Sequence, residues 1–425
     1  KNGEDLYKNP RNTAAGTIKL QDSAEVAKRP LDGFLYQLAE HGKEELDHWD
    51  SLQRMKSYGL PVNDATKLCD TIEEVWKFIE YWETERKNLS FEIDGVVIKV
   101  NSRLQQQEMG FTSKFPRWAM SYKFETERAE SKLLSISYQV GRTGAVTPVA
   151  NLEPMQLLGT TVKRASLHNA DFIAQLDIRV GDTVFVEKGG EIIPKIVEVD
   201  ASNRDADSQP TKFTTTCPEC DTILERPDGD AVFRCTNTQS CPPQVKGRIE
   251  HFISRKAMDV ASLGEGKIDV LYQSGLVHRA ADLYKLKSED LLGLSKAIVN
   301  EDTGDERIVS FKERTVENII TGLESSKNQP FERVLFGLGI RFVGETVAKK
   351  LAFHFKNIDA LMAADVETLN AVEEIGSVIA KSVIDYFGIA ANREEIAQLQ
   401  VAGLQFEVVE KELASNALEG AKIVV

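Results

Sequence analysis

The sequence predicts a multidomain chain of the α+β class, in which a mixed front segment leads into a small β-barrel, a tetracysteine module and a helical tail. Three observations predict it. The 425 residues suffice for three or four domains at roughly 100 to 200 residues each. Four cysteines crowd into one short stretch, Cys217 to Cys241, and beyond them a helical pattern recurs at a fixed interval.

Composition narrows the class further. Hydrophobic residues at 42% and charged residues at 28% exclude fibres and wholesale disorder. A net charge of −14 argues against a surface that coats nucleic acid indiscriminately, although local basic patches remain possible. No apolar run reaches membrane-spanning length, and Lys1 to Arg11 is polar, so no membrane partner and a cytosolic compartment are expected. Lys1 in the place of an initiator methionine, and a terminal Lys422-Ile-Val-Val425 that reads as an unpaired strand, lead us to expect a chain cut at both ends.

In the front segment, Ser90-Phe-Glu-Ile-Asp-Gly-Val-Val-Ile-Lys-Val100 puts a carboxylate turn with Glu92 and Asp94 before a strand from Val96 to Val100, with Lys99 among apolar neighbours. A second strand, Trp118 to Phe124, likewise embeds Lys123. Burying an ammonium is costly unless an anion meets it. Either lysine alone would read as snorkelling from a sheet edge. Two on neighbouring strands form a clamp for phosphate oxygens, with Asp94 able to hold a divalent cation nearby. From Lys99 to Arg142 eight Lys or Arg face four Glu, a local excess of positive charge. Cys69 falls in a predicted helix as a small core residue.

From Lys132 to Asp200 the pattern is β. Leu133 to Val140 alternates, and Thr183 to Lys188, Gly189-Gly190 and Glu191 to Val197 read as a hairpin. Short strands between glycine turns suggest a small barrel, of which the oligonucleotide-binding (OB) fold is one example.

Cys217, Cys220, Cys235 and Cys241 read C-x2-C, fourteen residues, then C-x5-C. Four thiolates at that spacing suit tetrahedral zinc and leave no open position, so the site is structural. Two disulfides are the alternative, but no secretory signal or other cysteine-rich segment supports them. The polar loop Asp221 to Arg234 is too poor in apolar residues to fold unstapled.

Farther on, Gly344-Glu-Thr-Val-Ala348 and Gly376-Ser-Val-Ile-Ala380 stand 32 residues apart (376 − 344), with Lys312 to Val316 another 32 upstream (344 − 312) and Gly264-Glu-Gly266-Lys-Ile268 earlier. The period implies repeated helix-turn-helix units. Glycine at the turn lets the backbone approach a ligand, and free N–H groups at the next helix start attract a phosphate. One such glycine alone would read as a helix cap; the repetition points to phosphate. The copy at Lys312 lacks the glycine and is expected to pack rather than bind.

Asn9-Pro-Arg-Asn-Thr-Ala-Ala-Gly16, Glu92 to Asn101, Pro116 to Phe124, Gly141-Arg-Thr-Gly-Ala-Val-Thr-Pro148, Leu167-His-Asn-Ala170 and the cysteine spacing together resemble the bacterial NAD-dependent DNA ligases. The resemblance implies the C-terminal part of a nucleotidyltransferase (adenylation) domain over 1–128, an OB-fold over 129–205, a zinc finger over 206–246, a helix-hairpin-helix domain over 247–400 and the start of a BRCT domain over 401–425. It implies a monomeric cytoplasmic, nucleoid-associated enzyme of DNA replication and repair that seals nicked duplex DNA with NAD and Mg2+ or Mn2+. Lys99 and Lys123 would contact the adenylate, Asp94 would belong to the acidic motif, and Arg11, Lys19 and Arg86 would assist with phosphate and DNA. Lys19 stands where the family usually has arginine, so a bidentate fork is lost.

Other departures matter more. The family's nucleophile lies in Lys-x-Asp-Gly, and here Pro30-Leu-Asp-Gly33 and Arg226-Pro-Asp-Gly229 are the nearest forms. The 425 residues alone are therefore expected not to self-adenylate. The acidic segment Ser295 to Ser310, with Glu301, Asp302, Asp305 and Glu306, departs from the family pattern and is expected as a solvated loop. A non-catalytic DNA-binding scaffold is the competing reading, and an ATP-dependent ligase the rival in chemistry.

Overall fold

A computed structural model describes residues 10–38, 46–112, 114–125, 127–189, 193–299 and 306–409. The chain divides into two compact units. One comprises Lys1–Ser131, Pro154–Lys163 and Phe185–Val197, and the other Lys132–Glu153, Arg164–Val184 and Glu198–Val425.

The front segment runs α1 (Pro10–Ile18), α2 (Ser23–Ala27), α3 (His48–Ser57), α4 (Ile72–Glu85), β1 (Gly95–Lys99), α5 (Arg103–Met109) and β2 (Ala119–Lys123). α4 begins where its capping residues dictate: the Thr71 hydroxyl accepts from the Glu74 N–H at 3.3 Å, and the Glu74 carboxylate accepts from the Asp70 N–H at 3.0 Å. Cys69 therefore lies in the loop before α4 and not in a helix, half-buried. β1 and β2 form an antiparallel two-stranded ribbon in which Gly95 opposes Lys123 and Lys99 opposes Ala119. Leu52, Met55 and Val62 make a small apolar cluster beneath α3.

The next strands, β3 (Arg128–Val140), β4 (Val146–Leu157), β5 (Thr160–Ser166), β6 (Thr183–Gly189) and β7 (Ile193–Asp200), close a barrel in the order β3-β4-β5-β7-β6, with α6 (Ala170–Leu176) between β5 and β6. Alternation buries one side of each strand, as at Val146, Ala150 and Leu152 on β4. The expected hairpin appears as β6 beside β7; its Gly190 to Ile192 tip lies outside the described residues. Asn169 of the Leu167 to Ala170 motif caps α6, its side-chain oxygen accepting from the Phe172 N–H at 2.9 Å.

Two short strands, β8 (Leu224–Glu225) and β9 (Arg234–Cys235), pair within the cysteine module, and α7 (Pro242–Ile253) leaves it. The tail continues through α8 (Glu265–Gln273), α9 (Ala280–Leu283), α10 (Ser288–Leu291), β10 (Ser295–Val299), β11 (Glu306–Ser310), α11 (Glu313–Ser326), α12 (Phe331–Gly337), α13 (Glu345–Phe355), α14 (Ile358–Ala363), α15 (Val366–Asn370), α16 (Ser377–Gly388) and α17 (Ala390–Val401). One large apolar core unites them, with Phe252, Phe331, Leu335, Leu351 and Val383 among its members. The segment Ser295 to Ser310 contradicts the loop expectation: its flanks pair as the β10–β11 hairpin, because Val309 packs on the core and Lys296 reaches Asp269. Glu301, Asp302 and Asp305 fall outside the described residues, as does most of the 401–425 segment expected to start a BRCT domain, from residue 410 on. Among the described residues no helix is long and apolar enough to cross a membrane.

Candidate functional site

The ribbon sets the geometry of the front site. Residues two apart on a strand share a face, so the pairing puts Lys99, Val97, Ser121 and Lys123 on one side. The two lysines stand at opposite ends of that face, about 13 Å apart along the strands at ~3.3 Å per residue. Gly95 is needed opposite Lys123, since a Cβ there would meet the Tyr122 carbonyl oxygen at 2.0 Å.

Lys99 lines a cavity of about 910 Å³, together with Tyr36, His48, Trp118 and a largely apolar wall that includes Phe91 and Trp82. Its ammonium sits 4.7 Å from the centre of the Tyr36 ring and 3.5 Å from His48 Nε2. Burial pushes the Lys99 pKa down. The His48 imidazole is driven down to about 4 by burial first, then by the Lys99 and Arg103 charges, so it stays neutral and can accept from the ammonium. Asn101, just past β1, fixes His48: its carbonyl oxygen accepts from the His48 N–H at 2.9 Å and its side-chain oxygen from the Trp49 N–H at 2.9 Å. Sequence reasoning missed Tyr36 and His48, which lie far from Lys99 along the chain; Asn101 was visible only as the end of a motif.

Lys123 takes a different partner. Its Nζ donates to Asp94 Oδ2 at 2.6 Å, and neither side chain lines the cavity. Arg86 lies 5.1 Å from the centre of the Phe124 ring, whereas Arg11 is exposed on α1 and Lys19 in the turn after it.

The four sulfurs of Cys217, Cys220, Cys235 and Cys241 lie within 4.8 Å of one another. Cys217–Cys241 and Cys220–Cys235 are 3.9 and 3.5 Å apart, close to the ~3.8 Å edge of a tetrahedron with zinc–sulfur bonds of about 2.3 Å and far from a disulfide. Burial pushes Cys235 up to about 11 and Cys241 higher still; at Cys220 burial also raises the thiol, but hydrogen bonds from Thr222 and the neighbouring thiols bring it down to about 6. Zinc would stabilise all four as thiolates and act as a structural tie. The donor set therefore fits a closed zinc site.

In the tail, Gly264, Gly344 and Gly376 are the exposed N-cap residues of α8, α13 and α16, and a Cβ added to any of them would meet nothing within 4 Å. Each follows a buried residue (Leu263, Val343, Ile375) and precedes another four places on (Ile268, Ala348, Ala380). Gly266 sits inside α8, not at the turn. Lys312 occupies the same frame as N-cap of α11, between buried Phe311 and Val316, with lysine in the place of the glycine. Glu345 at the start of α13 is neutralised by Lys256, 2.9 Å away.

Comparison with known proteins fits these parts. The chain matches the family models of the NAD-dependent DNA ligase adenylation domain over residues 1–127, the NAD-dependent DNA ligase OB-fold domain over 130–208, the NAD-dependent DNA ligase C4 zinc finger domain over 216–242 and a helix-hairpin-helix motif over 333–396. It is 53% identical to a DNA ligase of Christiangramia forsetii over 425 residues, all of this chain and 62% of that protein. Against a DNA ligase of Flavobacterium johnsoniae it is 54% identical over 417 residues, 98% of the chain and 60% of the relative. Against one of Porphyromonas gingivalis it is 47% identical over 424 residues, 100% and 61%. The chain thus spans about three fifths of the length of these relatives.

Proposed function

This chain belongs to the NAD-dependent DNA ligases, and from that premise we propose that the protein it forms part of seals nicks in duplex DNA, joining a 5′-phosphate to a 3′-hydroxyl through enzyme-AMP and DNA-adenylate intermediates. NAD supplies the adenylyl group. The observation that carries the reading is the Lys99–Lys123 face of the β1–β2 ribbon, with Lys99 half-buried in the lining of a cavity.

Each chemical step is an in-line displacement at phosphorus, in which fixed cations neutralise developing charge. Lys99, held by Tyr36 and the neutral His48, serves as one such cation. Lys123, anchored by Asp94, serves as the second, and Asp94 retains an oxygen for Mg2+ or Mn2+. We assign Arg11, Lys19 and Arg86 to phosphate and DNA, and the helix starts at Gly264, Gly344 and Gly376, with Gly266 as the second residue of α8, to sequence-independent backbone contacts. The boundaries proposed for the domains are those the sequence suggested, and the protein is taken to act as a cytoplasmic, nucleoid-associated monomer. The 425 residues alone, which hold no Lys-x-Asp-Gly, should not acquire AMP from NAD.

The test is nick sealing by the full-length parent protein with NAD or with ATP. Sealing with NAD that Lys123→Ala abolishes supports the reading. Binding of nicked DNA without sealing under either nucleotide favours a DNA-binding scaffold, sealing unchanged by that substitution removes Lys123 from the chemistry, and sealing with ATP alone overturns the cofactor assignment.

A further inference from the structure

Gln244 is wholly buried, a polar side chain among the zinc ligands that is not itself a ligand. It occupies the first turn of α7, three residues after Cys241. Its Nε2 donates to the Cys235 carbonyl at 3.0 Å and to the Asn237 carbonyl at 3.4 Å, while its Oε1 finds no donor among the described residues. Both carbonyls belong to the metal loop: Cys235 contributes a sulfur, and Asn237 O also accepts the N–H of Cys241 at 3.2 Å. The same amide touches the barrel. Gly144, at φ +77° in the turn between β3 and β4, lies so close that a Cβ would stand 2.4 Å from Cys235 O and 3.0 Å from Gln244 Oε1. The Cys235 N–H donates to Gly144 O at 2.8 Å and the Val146 N–H to Phe233 O at 2.9 Å, so β9 bridges onto the barrel turn at Ala145 and Arg234.

We propose that Gln244 is a positioning residue of the zinc centre, which fixes the backbone of Cys235 and Cys241 and couples metal occupancy to the β3–β4 turn of the barrel. The inference rests on the zinc assignment but not on ligase activity. Its logic is that of an outer-shell group: the ligand sulfurs converge only if the carbonyls behind them are held, and a buried amide with two donors holds two at once. Metal binding and barrel-turn order then share one strut.

The experiment compares the 425-residue chain with its Gln244→Leu variant, which keeps side-chain bulk and removes both donors. Zinc transfer to a chelating dye should accelerate by about 10- to 100-fold. The thiolate–cobalt bands of the cobalt-loaded form should shift, and the Cys235 and Val146 amides should exchange faster in the metal-loaded protein. Should Gln244→Leu fail to fold, Gln244→Asn, one methylene too short to reach, is read in the same way. Ile223→Ala, on the exposed surface of the cysteine module, should match the parent. Unchanged metal release together with an unchanged cobalt spectrum in a folded Gln244 variant overturns the proposal. So does an equal loss of thermal stability with and without metal, which would mark Gln244 as ordinary core. A parent chain that binds no zinc at all would instead remove the zinc assignment on which the proposal stands.

Discussion

Lys99 in the front segment and Lys246 and Lys296 in the tail are all partly withdrawn from water, yet they meet opposite kinds of partner. The tail pair shares one carboxylate, Asp269, at 2.7 and 2.9 Å. Burial raises the Asp269 carboxyl, and hydrogen bonds from the two ammonium groups outweigh it and bring it down. Lys99 meets an aromatic ring and a neutral imidazole instead, and forms no ion pair among the described residues. A charge matched within the fold supports the fold; one left unmatched at a cavity keeps its capacity for an anion from outside. Lys123, paired with Asp94 at 2.6 Å, falls between these two cases.

The largest effect should come from Lys99→Ala in the full-length protein: nick sealing falls by on the order of 10²–10³-fold. Its thermal midpoint stays at or above the parent's, because an uncompensated desolvated charge has gone. A fall in stability with sealing intact would erase the distinction. The converse substitution, Asp269→Asn, strands two ammonium groups and should cost about 1–3 kcal/mol in denaturant unfolding of the tail, with sealing lost only as far as folding is lost.

Smaller still, Gly344→Ala and Gly376→Ala together should cost about 1–2 kcal/mol of unfolding stability through the lost N-cap preference, with no steric penalty, since a Cβ at either position meets nothing within 4 Å. They should weaken nicked-DNA binding severalfold and flatten its salt dependence, measured by fluorescence titration at several ionic strengths. Loss of stability with unchanged binding would assign these glycines to capping alone.

The least effect concerns acid. His48 is held near 4 against 6.5 for an ordinary histidine, so the unfolded chain takes up its proton first as the pH drops. The His48 contribution to stability is fully present above about 6.5 and is lost as the pH falls toward 4. Denaturant unfolding of the front unit across that window should show the slope, and His48→Gln should flatten it.

Much of this was legible from residue order. Lys99 and Lys123 stand out because a charged residue in an apolar strand is conspicuous, Asp94 because it sits in the carboxylate turn before the first strand, and the cysteine spacing specifies four converging sulfurs. The frame of a buried residue, an exposed glycine and a second buried residue four places on explains why the helical repeat could be seen at all. What escaped notice depends on distant partners. His48 and Tyr36 carry no local pattern, Gln244 reads as an ordinary helix residue, and the acidic centre of the 295–310 segment reads as a loop and hides the flanks that pair as β10 and β11. Cys69 reads as helical in the sequence, but α4 starts only at Ile72, where Thr71 and Glu74 set its cap.

The amino-acid order by itself determined the sequence of modules, the identity of the metal ligands and which residues carry unusual charge, because local periodicity and short-range spacing write these directly into the chain. Only the tertiary structure decided that Lys123 pairs with Asp94 while Lys99 faces a cavity beside a neutral histidine, and that one buried glutamine joins the metal loop to the barrel turn. Those outcomes depend on which remote groups share a desolvated space, and no local pattern of side chains encodes that.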